Sequence, residues 1–392
     1  MIITADYIVT GDGKTVLENA AVRVENGRIA ALSSAEELTA KYPDEPVQAY
    51  PGCTLMPGMI DMHVHIGFVA GRPDQHNFDQ YRAMQGFFVG KRMADTLKNG
   101  VTTIRDVSSP DHVGISIPKA RAAGYIQAPR VITCGDGICM TGGHGSGFGI
   151  GVIESDGPIE VRKAVRKNIR AGATCIKILT SEGWRGLEMT QEEIDAAVDE
   201  AHRLGVRIAA HAGYGPSIEM CISAGCDTIE HGTHLTAEQA LYMKEHDQTW
   251  VPTIYVFENS IPTAKAHGVP DSHPIMQYYY DAHRCYESDF KRLYDVGVRV
   301  ACGTDTDCDN LPEASPVATE CEWMVRYGLT PLQAIECATK NGGEALGMGE
   351  SLGLIKENYL ADIIAVKGKP HEDIVALHNI EAVYQDGKLL KL

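Results

Sequence analysis

Eight short runs of β-forming residues recur through the middle of the chain, and helical patterns lie between most of them. The runs are "GMIDMHVH" (58–65), "VTTIRDV" (101–107), "RVITC" (130–134), "TCIKILT" (174–180), "VRIAAHA" (206–212), "DTIEHG" (227–232), "TWVPTI" (249–254) and "VRVACGTD" (298–305). Intervening stretches such as "PIEVRKAVRKNIRAG" and "GPSIEMCISAG" read as helices that end in glycine, the residue favoured just past a helix C-terminus. Eight strands separated by helices predict an α/β chain folded as a (β/α)8 TIM-like barrel.

The two ends read differently. Residues 2–55 alternate β-formers with turns such as "GDGK" and "ENGR", and the C-terminal "LADIIAVKG" and "IEAVYQDGKLLKL" have the same style. This predicts a small β-sandwich domain composed of 1–56 and 354–392, flanking a barrel over 57–353. The long segment 255–297, between the seventh and eighth strands, reads as an inserted substrate loop or lid.

A barrel of this kind carries its active site at the carboxyl ends of its strands. Several polar residues fall there. His63 and His65 are two apart in the first strand and so share one face. The fifth strand ends near His211, the sixth near His231 and the eighth at Asp305. Any one histidine alone is more often a satisfied core or surface residue. A set of them at equivalent positions points to a metal centre, because imidazole is a good zinc ligand.

Lys177 stands inside the apolar fourth strand, "CIKIL". A buried, unpaired ammonium is costly, and burial lowers its pKa instead. The plain alternative is a lysine paired with a carboxylate such as Glu182.

The segments "PGMIDMHVH", "IKI", "AAHA", "IEHG" and "CGTD", in this order, resemble the amidohydrolase superfamily of metal-dependent hydrolases. The resemblance extends to the terminal segment "YLADIIAV". "TTIRDV", "IKIL" and "IEHGT" look closest to a prolidase-like branch of Xaa-Pro and Xaa-Arg dipeptidases, with ochratoxin-hydrolysing amidases also similar. The resemblance implies a first metal on His63, His65 and Asp305 and a second on His211 and His231. It implies that Lys177 is carboxylated by CO2 and bridges two divalent ions, expected to be Zn2+. Burial helps there, since the neutral amine is the reacting form. The implied reaction is attack of a metal-bridging hydroxide on an amide carbonyl, with Asp305 as general acid/base. The implied substrate is a dipeptide or an N-acyl amino acid. Alternatives are a non-peptide amide, carbamate or lactam, including xenobiotics. A mononuclear deaminase and a non-catalytic scaffold are further alternatives.

Further candidates lie in the loops. His144, in the glycine-rich "GDGICMTGGHGSGFGIG", is placed by resemblance over the substrate carbonyl, as a catalytic and substrate-binding residue. That stretch lacks the spacing of a phosphate-binding loop. Tyr214, His234 and Arg185 are candidate substrate contacts, and Arg72 could hold a substrate carboxylate. "DTDCDN" begins like a calcium-binding loop, but Asn310 and Pro316 stand where that pattern requires glycine and glutamate.

The charge balance is 35 basic against 52 acidic residues, a net charge of −17. That disfavours nucleic acid and anionic membranes as partners and leaves a small molecule. Eleven cysteines without a C-x-x-C pair, and no visible signal peptide, point to free thiols and a cytoplasmic location. Relatives suggest a homo-oligomer.

Overall fold

The protein is described as a computed structural model covering residues 1–68, 78, 80–147, 149–182, 186–306 and 313–391. Strands form at all eight runs: β1 (Met59–Val64), β2 (Val101–Asp106), β3 (Arg130–Thr133), β4 (Cys175–Leu179), β5 (Arg207–Ala212), β6 (Thr228–His231), β7 (Thr249–Val251) and β8 (Arg299–Val300). Each pairs in parallel with its neighbour from β1 to β3 and again from β4 to β8.

Backbone bonds join these two groups. Thr174 N–H donates to the Thr133 carbonyl over 2.8 Å, between β3 and β4. Beyond β8 the chain stays alongside β1. Met62 N–H donates to the Cys302 carbonyl and Asp305 N–H to the His63 carbonyl, each over 2.8 Å. Hydrogen bonding therefore runs round all eight strands, and their carboxyl ends share one mouth.

Helices cover the strands where their sequence is amphipathic. Gln191–Arg203 starts in a capping box between Thr190 and Glu193 and buries Ile194, Ala197, Val198 and Ala201. The segment expected to be a loop or lid between β7 and β8 is instead two packed helices, Ile254–Ala266 and Pro274–Val296. The longer one buries Tyr279, Tyr286, Phe290 and Leu293 at helical spacing, which is why it is not a loose insertion.

Both termini feed one eight-stranded sheet. The strand Val47–Pro57 joins them, lying parallel to Ile2–Val9 and antiparallel to Ile363–Lys367. The hydrogen bonding is therefore continuous between the two terminal segments. The sheet's faces divide by strand alternation. Ile363 and Ala365 pack with Ile3, Leu55 and Tyr384, whereas Ile364 and Val366 join the core of the eight-stranded ring.

Candidate metal centre

The mouth is built from strand ends whose side chains converge. His63 and His65 extend from β1, His211 from β5 and His231 from β6, and all four are buried. The ring of His231 lies 5.0 Å from that of His63 and 4.5 Å from that of His211. Asp305 closes the group from beyond β8. Its Oδ1 is 3.4 Å from His63 Nε2 and 3.3 Å from His65 Nε2. One donor atom each from His63, His231 and Asp305 lie within 4.8 Å of one another.

The backbone is strained to make this arrangement. His231, Thr253 and Asp305 have φ of +67°, +53° and +53°, the left-handed region disfavoured for side chains of this size. Two glycines give the room. A Cβ on Gly303 would sit 2.5 Å from Val251 and 2.9 Å from His63 Cβ. One on Gly232, at φ +57°, would sit 2.6 Å from Trp250 Nε1.

Partners outside the cluster orient the imidazoles. His63 Nδ1 donates to Glu230 Oε2 over 2.8 Å, and His65 Nδ1 donates to the Ser108 carbonyl over 3.0 Å. Both rings thereby turn Nε2 toward Asp305. His231 Nδ1 lies 2.7 Å from Thr253 Oγ1. Glu230 is held in turn by Arg105 Nη2 at 2.6 Å and by Thr228. Asp61 fixes the β1–β8 seam, accepting from Thr304 N–H at 3.0 Å and Thr304 Oγ1 at 2.6 Å. These supporting residues, Glu230, Arg105, Asp61 and Thr253, were not singled out in the sequence. The one signal was position, since Glu230 and Asp61 lie inside "IEHG" and "GMIDMHVH".

Burial lowers the basicity of the histidines. His63 and His211 are held well below the usual imidazole range by desolvation, with Lys177 adding to the effect at His63 and His144 at His211. His231 falls to about 4, again chiefly through desolvation. Neutral imidazole is the form that binds metal. Burial opposes ionisation of Asp305, but His63 and His65 outweigh it and hold the carboxyl well below its ordinary range.

Lys177, on β4, is 1% exposed. Desolvation lowers its pKa, with Glu230 and Asp305 partly compensating. Among the described residues, its Nζ and His211 Nε2 are buried with no hydrogen-bond partner. A closed core seldom leaves such atoms unanswered. Four imidazoles, a carboxylate and an amine form, once deprotonated, a donor set suited to divalent cations, so the residues fit the implied metals.

The loop candidates divide. His144 joins the cluster, its ring stacked on His211 with centroids 4.1 Å apart. Its backbone N–H donates to Glu188 Oε2 over 2.8 Å. Tyr214 stands 39% exposed at the start of the helix Gly215–Ala224. His234 turns to Asp281 rather than to the other histidines. Arg185, Arg72 and most of "DTDCDN" beyond Thr306 lie outside the described residues.

Comparison with known proteins agrees with this geometry. The amidohydrolase family model matches residues 54–390. Ochratoxinase from Aspergillus niger is 31% identical over 430 aligned residues, which span 100% of this chain and 86% of that protein. A crystal structure of a Xaa-Pro dipeptidase with bound methionine superposes with a TM-score of 0.86 at 30% identity, covering 100% of this chain and 99% of the other. The crystal structure of A. niger ochratoxinase also gives 0.86, at 28% identity over 99% and 94%. These relatives carry a TIM-like barrel, the fold that the parallel ring of β1–β8 describes here. A mouth of four imidazoles and an aspartate on that frame, and a family match over most of the length, lead to one conclusion: the chain belongs to the amidohydrolase family.

Proposed function

We propose that the protein is a binuclear, zinc-dependent hydrolase that cleaves the amide bond of a dipeptide or an N-acyl amino acid. The observation that carries this reading is the Lys177 amine, buried beside four histidines without a hydrogen-bond partner among the described residues. In this reading Lys177 reacts as the neutral amine with CO2, forming an N–C bond and releasing one proton. The resulting carbamate offers two oxygens to two cations. His63, His65 and Asp305 hold one ion, His211 and His231 the other. When bound, such ions polarise the scissile carbonyl and lower the pKa of a coordinated water.

The remaining roles belong to the chain. Asp305, kept ionised beside His63 and His65, takes a proton on its carboxylate and returns it to the leaving nitrogen. Glu230 and the Ser108 carbonyl hold the His63 and His65 rings in the productive tautomer. His144, whose ring stacks on His211, would donate to the oxyanion that develops. Tyr214 and His234 are proposed substrate contacts, and so, from the sequence alone, is Arg185. The ring 57–353 then supplies the chemistry, and the composite unit 1–56 with 354–392 supports it.

The full-length similarity to ochratoxinase favours a second reading, in which the substrate is a non-peptide amide. A turnover screen of dipeptides, N-acyl amino acids and aryl amides, with Zn2+ and bicarbonate present, separates the two. Hydrolysis of dipeptides or simple N-acyl amino acids supports the first reading. Turnover confined to aryl amides supports the second, and turnover of none contradicts both.

A further inference from the structure

A second set of metal-binding side chains lies at the rim of the mouth, apart from the buried cluster. His234 comes from the turn after β6, three residues past His231. Asp281 and Cys285 project from one face of the helix Pro274–Val296, one turn apart. His234 Nε2 is 2.9 Å from Asp281 Oδ2, and Cys285 Sγ is 3.8 Å from His234 Nδ1. One donor atom from each of the three lies within 4.8 Å of the other two. Zinc–ligand bonds of roughly 2.0–2.3 Å put ligand atoms on one ion about 3–4 Å apart; Asp281 and Cys285 meet opposite nitrogens of the His234 ring, so a shared ion requires the side chains to turn toward one of them.

We propose that His234, Asp281 and Cys285 form a third cation site, selective for a thiophilic divalent ion such as Zn2+. A thiol, an imidazole and a carboxylate suit zinc and disfavour magnesium or calcium. The site is open, with His234 and Asp281 about two-fifths exposed. Arg284 Nη2 sits 3.0 Å from Asp281 Oδ1 and so engages the oxygen that does not face His234.

The same three residues have the order of a Cys–His–Asp hydrolytic triad, which the thiol argues against. Burial, with help from Asp281 and Asp289, pushes Cys285 up to about 11, so it is a protonated, poor nucleophile at neutral pH. An incoming ion replaces that proton: the S–H bond breaks, a sulfur–metal bond forms, and one proton passes to solvent. Binding ties the turn that follows His231 to the helix bearing Tyr278. The Tyr278 ring lies 5.4 Å from that of Phe257, which meets His231 edge-on at 5.7 Å. Occupancy of the rim would thus stiffen one wall of the mouth.

The test does not depend on the proposed amide hydrolysis, because among the described residues the buried cluster offers nitrogen and oxygen donors, and the Cys308→Ser variant covers the cysteine that follows Asp305 in sequence. Metal-depleted full-length protein is titrated with Co2+ and with Cd2+, and near-ultraviolet thiolate-to-metal charge transfer is recorded. The expected result is a band whose full amplitude corresponds to one thiolate-bound ion per chain. It persists in Cys308→Ser, disappears in Cys285→Ser, and in Asp281→Asn requires at least about tenfold more ion. Cys285→Ser keeps wild-type turnover when no extra metal is added. Absence of the band in the wild type, or its survival in Cys285→Ser, overturns the proposal.

Discussion

Two buried cations face the interior of the same ring, and they are treated in opposite ways. Arg105, on β2, has each of its nitrogens answered: Nε by the Met62 carbonyl at 2.7 Å, Nη1 by Thr228 Oγ1 at 2.8 Å and Nη2 by Glu230 at 2.6 Å. Lys177, on β4, is equally buried, yet its Nζ has no such partner among the described residues. Arg105 is therefore structural, and its pairing with Glu230 extends to His63. Lys177 has its pKa lowered by desolvation and is left unanswered, which is the basis of the bridging role proposed for it. Burial alone does not mark a functional residue; an unsatisfied amine beside a cluster of potential metal ligands is what singles out Lys177.

The largest effect that sharpens this comparison is expected at Lys177. Lys177→Ala should lower kcat/KM by more than the roughly 10–100-fold that loss of an outer-sphere partner costs. Short carboxylic acids should restore part of it. Glu230→Gln should fall within that 10–100-fold range, measured as affinity for Zn2+ and as turnover, because the His63 tautomer is no longer dictated.

The stabilities of metal-depleted variants should then separate the two cations. Arg105→Met leaves Glu230 uncompensated and should cost about 3–5 kcal/mol in denaturant unfolding. Lys177→Met removes a buried amine without a partner and should be neutral or stabilising, within about 1 kcal/mol. Equal losses at the two sites would erase the distinction.

Glu320 shows a third solution, protonation, with the smallest expected effect. Burial pushes its carboxyl up to about 8, although it accepts from the Tyr255 and Ile254 N–H groups. The folded state therefore holds a proton that the unfolded chain releases near its ordinary value of 4.5. Stability from this group is complete below that value and is lost as pH rises toward about 8. The stability difference between wild type and Glu320→Gln, followed across that window, should move in favour of the variant as pH rises. A pH-independent difference would mean that the carboxyl is already ionised.

The frame was legible because strand period and glycine-terminated helices recur eight times, and each expected strand has its counterpart. Even β8, only two residues long by pairing, continues alongside β1 as far as Asp305, as the run 298–305 implied. The supporting residues were not legible for a definite reason. Neighbours in a strand point to opposite faces, so Glu230 and His231 should not serve one site. The left-handed φ of His231 breaks that alternation, and both residues reach His63. His234 was legible only in part. Its spacing from His231 put it near the pocket, but its partners, Asp281 and Cys285, come from a helix some fifty residues on that only the fold brings near.

The central claim, that Lys177 is the bridge between two ions, is tested most directly by metal content per chain. Wild type and Lys177→Ala are each reconstituted with Zn2+ and bicarbonate, with Cys285→Ser in both backgrounds to remove the rim site. Two ions in the former and one or fewer in the latter are predicted. Two ions retained in Lys177→Ala would contradict the account.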